Sequence, residues 1–362
     1  MKFFLNTLKK ILNKVINIFY VLLGYKKVID FNNIENILFF KVGSMGDNII
    51  TLPTIASIKK QYPNIKITIL TNSGKSPVSI ENLIDKSYVE EFINYTGKSK
   101  KEFVRLLQDK KFDLVIDLTQ PSSLFRTVRN MIVFRYLGIN KAIGWEISEL
   151  SFLRKFQDKY NLVGSELERY LNLIKKYKIS IDREFILNIT KNEIEKIDLL
   201  IDEKDLKDKK IIAIVVGSKR ITTRWPIEYF NEVIKYINTN TNYIPVIIGG
   251  NEDNILVELL KERVVNLCGK LTPLESAEFL KRVEFTISND TGPMHLSYAV
   301  GTKVIGIFSA RGFRGKWYPP KDLGIVLRDN NIECNLCYKE TCEHLSCLKN
   351  ITSNKIIDII GD

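Results

Sequence analysis

Apolar residues along the chain fall into short runs, separated by segments with helical spacing. NILFFKV (36–42), IKITILT (65–71) and FDLVIDLT (112–119) are nearly continuous in β-favouring residues, the pattern of strands buried on both faces of a parallel sheet. Between the first two, apolar positions over 47–61 recur at three- and four-residue steps, which predicts a helix bent near Pro53. Strands separated by helix-length segments predict βαβ units. The rhythm restarts at KKIIAIVVGS (209–218), with a helix from about Pro226, a strand YIPVIIGG (243–250) and a helix over 252–262. A helix over 272–283 follows, with Thr272 and Glu275 as its capping box, then the strand EFTISND (284–290). A short helix closed by Gly301 leads into KVIGIFS (303–309). The charged stretch 182–210 reads as a helix plus connector. The pattern predicts an α/β chain of two Rossmann-like halves facing across a cleft, with ligands at the strand ends. Their expected bounds are 31–185 and 186–350, with a C-terminal helix over 351–362.

Residues 1–30 stand apart. Phe4, Leu8, Ile11, Leu12, Val15, Ile18, Phe19 and Leu22 make one apolar helical face, while Lys2, Lys9, Lys10 and Lys14 interrupt any membrane-spanning run. No small-residue cleavage site follows, so an export signal is not expected. The segment is either an amphipathic helix lying in an anionic membrane surface or a helix packed on the protein's own surface.

Composition changes this picture little. At 362 residues the chain has room for two cores, and 45% hydrophobic with 27% charged residues is ordinary for a globular protein. The net charge of +12 favours anionic partners: a phosphorylated substrate, an anionic membrane surface or nucleic acid. No nucleic-acid module signature is present. Gly74-Lys75-Ser76 is a fragment of a phosphate-binding loop whose first glycine would fall at Ile69, so that motif fails, and no strand is followed by G-x-G-x-x-G. Only two histidines, His295 and His344, are available, and neither accompanies a nucleophile elbow.

Three strand-end segments remain. In FFKVGSMGDNIITLP, Gly43 and Gly46 permit a tight turn and leave room for a ligand, and Asp47 stands at a helix start, where it either caps the helix or does chemistry. In SNDTGPMHLSYAVGT, Asp290 and Thr291 lead through Gly292 and Pro293 into a helix, with Met294 and His295 in its first turns. Free N–H groups and the helix dipole there suit a diphosphate. In GSKRITTRWP, Lys219, Arg220 and Arg224 are cations on a strand-to-helix loop, either solvated or set to neutralise a leaving diphosphate.

Together these segments resemble the heptosyltransferase family of glycosyltransferases, family 9, over roughly residues 35–360. FFKVGSMGDNIITLP looks like the family's strand–Gly-Asp–helix signature ending in Leu-Pro, and SNDTGPMHLSYAVGTKVIGIFS matches its most specific motif almost position for position. DLVIDLTQ and AIGW also have counterparts. The resemblance implies a GT-B fold with an N-terminal acceptor domain and a C-terminal nucleotide-sugar domain. It implies an inverting transfer, typically from ADP-heptose to a lipopolysaccharide core or other glycolipid, with no cofactor or divalent metal needed. It also implies a place on the cytoplasmic side of the inner membrane. Carried over by residue, Asp47 is the general base. Asp290, Thr291, Gly292, Pro293, Met294 and His295 hold the donor, with Ser218, Lys219, Thr223 and Arg224 from the basic loop and Glu252 toward the ribose. One departure stands out: the family commonly has lysine two residues before the tryptophan of the basic loop, and here that position is Thr223, leaving Arg224 or Lys219 to supply the charge. Arg126, Arg129 and Arg135 either meet acceptor phosphates or form a solvated helix face.

Cys334, Cys337, Cys342 and Cys347 crowd the tail at C-x2-C-x4-C-x4-C spacing. They are either free thiols, an adventitious disulfide, or a structural zinc or iron site. This cluster keeps a protein-directed heptosyltransferase open as an alternative, because related enzymes of that kind carry iron.

Overall fold

The computed structural model describes residues 2–72, 78–120, 123–147 and 163–361. The phosphate-loop fragment at Gly74–Ser76 lies outside the described residues. The chain divides into two compact units, Met1–Asp158 with Glu166–Ile186, and Lys159–Ser165 with Leu187–Asp362.

The first unit holds β1 (Asn36–Val42), β2 (Lys66–Asn72), β3 (Glu91–Asn94), β4 (Leu114–Asp117) and β5 (Ala142–Ile143), all parallel, in the order β3-β2-β1-β4-β5. Its helices are α1 (Lys2–Leu22), α2 (Met45–Ile49), α3 (Leu52–Gln61), α4 (Lys100–Gln108), α5 (Leu124–Tyr136) and α6 (Glu166–Lys175). Ile37, Leu38 and Phe39 of β1 are fully buried, as a central parallel strand requires. The bent helix expected over 47–61 is instead two helices. α2 closes at Ile50, and α3 restarts with Pro53 in its first turn, where a missing N–H costs nothing.

Helix α1 packs on this unit. Ile16 is buried with Tyr25, Met131, Phe134 and Trp145, and Leu8, Leu12, Phe19 and Leu23 pack around them. Asn13 exchanges two hydrogen bonds with the backbone of Ile147: its amide donates at 3.3 Å and its carbonyl accepts at 2.7 Å. The Tyr25 hydroxyl donates to the Met131 carbonyl at 2.7 Å, and the Arg135 guanidinium donates to that of Leu23 at 2.8 Å. Only one side of the α1 helix is used in this way.

The second unit holds β6 (Lys210–Val215), β7 (Tyr243–Ile247), β8 (Val265–Asn266), β9 (Phe285–Asn289), β10 (Lys303–Phe308) and β11 (Gly324–Arg328), again all parallel, in the order β11-β10-β9-β6-β7-β8. Its helices are α7 (Lys191–Glu203), α8 (Ile227–Asn240), α9 (Asn254–Val257), α10 (Pro273–Leu280), α11 (Gly292–Ala299), α12 (Ser346–Lys349) and α13 (Asn354–Gly361). The capping box at Thr272 and Glu275 forms as expected, whereas the helix expected over 252–262 shrinks to a 3-10 turn and the single turn α9. α13 belongs to this core: Ile356 is buried in one cluster with Trp225, Phe230 and Ile234.

Each sheet reverses direction at one place. In the first unit β1 is flanked by β2 and β4, and in the second β6 is flanked by β7 and β9. Carboxyl ends of strands at such a switch point leave a crevice for ligands. The first crevice receives Gly43–Asp47, and the second receives Ser218 and Asp290.

Candidate active site

In the first unit, β1 empties through Gly43 into α2. Ser44, not Asp47, is the N-cap, and Asp47 is the third helical residue. Its Oδ2 accepts from the Ser44 backbone N–H at 2.8 Å and from the Ser44 hydroxyl at 2.6 Å, the reciprocal half of a capping box. Among the described residues no hydrogen bond reaches Oδ1, and the side chain is half-buried. One oxygen of the carboxylate thus fixes its orientation on Ser44. Gly43 has a more local reason than room for a ligand. A Cβ there would stand 2.5 Å from the Asp47 Cβ, so the glycine makes space for the acid itself. Gly46 is buried inside α2.

Behind Asp47 lies a buried charged network that sequence reading missed. Lys41 is 1% exposed; its ammonium donates to the Leu118 carbonyl at 3.2 Å and to the Tyr170 hydroxyl at 3.1 Å. Burial pulls its pKa down to about 8, and the Asp47 carboxylate is the largest charge opposing that fall. The Arg169 guanidinium lies over the Tyr170 ring, 4.3 Å from its centroid, and donates to Glu166 at 2.5 Å. Asp117, at the end of β4, accepts from the Thr119 N–H at 2.8 Å, and burial raises its pKa. Gly144 of AIGW has φ +103°, and a Cβ there would strike the Asp117 carbonyl at 2.2 Å. The signal for this network was Lys41 itself, a cation inside an otherwise apolar strand.

In the second unit, Asn289 at the end of β9 clamps the basic loop. Its carbonyl accepts from the Trp225 N–H at 2.9 Å, and its amide donates to Val216 at 2.9 Å and Gly217 at 3.3 Å. Ser218 and Thr223 turn inward and share a 2.8 Å hydrogen bond, and Thr223 also donates to the Arg220 carbonyl. Arg224 donates through Nε to the Ser218 carbonyl at 2.7 Å, and Lys219 is exposed. Thr223 therefore ties the loop together, and any cation at this site has to come from elsewhere.

Beside the clamp, Thr291 is the extended N-cap of α11, with φ −154°, and its hydroxyl makes no capping bond. Gly292 and Pro293 begin the first turn, and since Pro293 has no N–H the backbone donors at this helix start are those of Gly292 and Met294. Met294 is fully buried, against Gly306 of β10. His295 is 4% exposed; its Nδ1 is 2.6 Å from the Tyr298 hydroxyl, which fixes the ring and leaves Nε2 as its second polar atom. The Trp317 ring meets His295 edge-on at 6.3 Å, and the buried Lys316 lies over Trp317 at 5.5 Å. Lys316 and Trp317 also escaped the sequence reading. Their signal was the loop RGFRGKWYPP, three cations directly after a strand.

Glu252 is exposed and folds over Gly250, where a Cβ would meet its carboxylate at 2.3 Å. The acid next to it is the buried one. Asp253 accepts from the Gly250 N–H at 3.0 Å and fills the space that a Cβ at Gly217 or Gly249 would need.

The cysteine tail departs from the metal expectation. Among the described residues no three His, Cys, Asp or Glu side chains are placed to hold a metal ion, and Cys334, Cys337, Cys342 and Cys347 are free. Cys347 is buried in the hydrophobic core of its unit, where the thiols of Cys334, Cys337 and Cys342 lie near enough to act on it electrostatically. Burial raises the pKa values of Cys334 and Cys347, which keeps these thiols protonated.

Glycosyltransferase family 9 (heptosyltransferase) is the family whose model matches this chain, over residues 101–347. The chain is 29% identical to lipooligosaccharide heptosyltransferase 2 of Campylobacter jejuni subsp. jejuni serotype O:2 over 161 residues, 41% of this chain. That match spans about half the length of the curated relative, 50%. The solved glycosyl transferase family 9 protein from Veillonella parvula superposes with a TM-score of 0.67 at 20% identity, over 90% of this chain and 95% of that one. E. coli heptosyltransferase WaaC with ADP superposes with a TM-score of 0.58 at 20% identity, over 90% and 97%. These two structures share the fold.

Proposed function

This chain belongs to glycosyltransferase family 9 and has its GT-B fold, and on that premise we propose that it is an inverting glycosyltransferase moving a heptose from an ADP-sugar to a lipopolysaccharide-core or other glycolipid acceptor. The observation that carries the reading is the pairing of two strand-end sites of complementary chemistry, an oriented carboxylate in one unit and a helix N-terminus open to a diphosphate in the other. ADP as the nucleotide is supported by WaaC, which is solved with ADP, and the acceptor class by the name of the Campylobacter relative.

In the proposed step, the free oxygen of Asp47 removes the proton from an acceptor hydroxyl. The acceptor oxygen forms a bond to the anomeric carbon on the face opposite the diphosphate. The bond from that carbon to the phosphate oxygen breaks, and its electron pair leaves with ADP. The N-terminal N–H groups of α11, the Thr291 hydroxyl and the cations near it stabilise the charge that gathers on the departing diphosphate. No divalent metal enters this step. Asp290 and His295 frame the donor, and Glu252 or Asp253 meets the ribose. The place of action is the cytoplasmic face of the inner membrane, where such an acceptor is exposed. Among the described residues, no helix is long and apolar enough to cross a membrane.

Single-turnover transfer from ADP-heptose tests the assignment. Asp47→Asn keeps the size of the side chain and its contact with Ser44. It should bind ADP as the wild type does and lose transfer by about 10²–10⁴-fold. Transfer within a few-fold of wild type would remove Asp47 from the role of base.

A further inference from the structure

Helix α1 buries one side and leaves an apolar row on another. Phe4, Ile11 and Ile18 follow one another at seven-residue steps, which places them on one line along the helix, and Val21 and Leu22 extend it. Helix α5, packed against α1, carries a second row of Phe125, Ile132 and Tyr136. Exposure across these eight side chains runs from 50% at Ile11 to 79% at Phe125. Single exposed apolar residues need no explanation, but two rows on two packed helices do.

The charge around them is one-sided. From Lys2 to Lys27 there are six lysines and no acid, and α5 contributes Arg126, Arg129 and Arg135 with no acid. Lys10 and Lys14 are exposed on the side of α1 next to its apolar row, and Arg126 and Arg129 are exposed on α5. A second copy of this chain on the same face would set these cations against their own kind, which opposes self-association. An anionic bilayer meets both features: an apolar layer for the rows and a dense negative surface for the cations around them.

We propose that α1 and α5 together form a docking face for an anionic lipid bilayer, with both rows lying in the interface and neither helix crossing it. The first-unit switch point would then be held near lipid-linked molecules, whichever sugar donor the second unit takes. This inference rests on the surface alone and not on the assignment of donor or acceptor.

Flotation of the full-length protein with vesicles tests it, using phosphatidylcholine alone and phosphatidylcholine mixed with phosphatidylglycerol. The wild type should float with the mixed vesicles, and added salt should weaken this. The pair Ile11→Glu and Ile18→Glu should lower partitioning by about tenfold or more, and so should the pair Phe125→Glu and Ile132→Glu. All four positions are at least half exposed, so folding and ADP affinity should remain those of the wild type, which separates this test from the proposed catalytic function. A wild type that stays free of mixed vesicles would overturn the proposal. So would an α5 pair that floats as well as the wild type, since α1 would then act alone. A concentration-dependent dimer in sedimentation, abolished by the α5 pair, would show a second copy as the occupant and overturn it as well.

Discussion

The two switch points are built from opposite materials. In the first unit, buried Lys41, Asp117 and Glu166, with the half-buried Arg169, stand behind one half-buried carboxylate. In the second, the neutral Asn289 clamp and Ser218–Thr223 pair hold the loop beside the start of α11, with the buried carboxylate of Asp253 packed against Gly217. The difference follows from the chemistry proposed for each. Moving a proton requires a group whose charge changes, and the energy of that change is set by nearby charges in a poorly screened interior. Holding a diphosphate requires fixed donors that do not titrate, and backbone N–H groups at a helix start supply them at any pH.

The largest expected effect breaks the first site by geometry alone. Gly43→Ala puts a methyl group where the Asp47 side chain folds back, at 2.5 Å from its Cβ. Transfer should fall by about 10²-fold through misplacement of the base, with ADP affinity unchanged. Single-turnover rates beside calorimetric ADP binding would check this, and loss of both together would point to global damage.

Next comes the buried ammonium. The folded pKa of Lys41 lies at about 8, below its ordinary value of 10.5, so the unfolded chain binds more protons across that window. The burial of the charge therefore costs stability fully below about pH 8, and the cost is relieved as pH rises toward 10.5. Relative to Lys41→Met, the wild type should gain roughly 2–3 kcal/mol of unfolding free energy over this range. Urea denaturation at several pH values measures it, and a constant difference between the two proteins would contradict the expected titration.

At the Asn289 clamp, whose groups do not titrate, hydrogen bonds should matter more than pH. Asn289→Ala orphans the Trp225 N–H and the Val216 and Gly217 carbonyls, and should cost about 2 kcal/mol at all pH values. Its stability difference, measured in the same titration, should stay flat where that of Lys41→Met slopes. The smallest effect is Thr291→Val. It removes one hydroxyl that caps nothing and should weaken ADP binding by about fivefold, with folding stability unchanged. Equal loss in ADP and adenosine binding would place the hydroxyl away from the diphosphate.

Local pattern was enough for the long strands and for the two segments proposed to carry the site. Continuous apolar runs such as NILFFKV and EFTIS can only be satisfied between two covering layers, and the strand–Gly–Asp and Asp–Thr–Gly–Pro sequences mark where those strands must end. The short strands β3, β5, β8 and β11 were not legible, because a few residues at a sheet edge carry no period of their own. The helix expected over 252–262 was over-extended: Leu256, Val257 and Leu260 reach the core from one helical turn and the loop after it.

What the sequence determined by itself was therefore the alternation of strands and helices, the family, and which strand ends are candidates for chemistry. Each is a property of neighbours along the chain. Only the tertiary structure decided that Ser44 caps α2 while Asp47 is held by one oxygen, that Gly43 serves the acid, and that Asp253 rather than Glu252 is the buried carboxylate. It also decided that Lys41 meets Tyr170, 129 residues away, and that α1 packs on its own unit while keeping an apolar row outward. These depend on distances between residues far apart in sequence. Burial, which sets the energy of a charge and the room for a methyl group, exists only once the layers have closed.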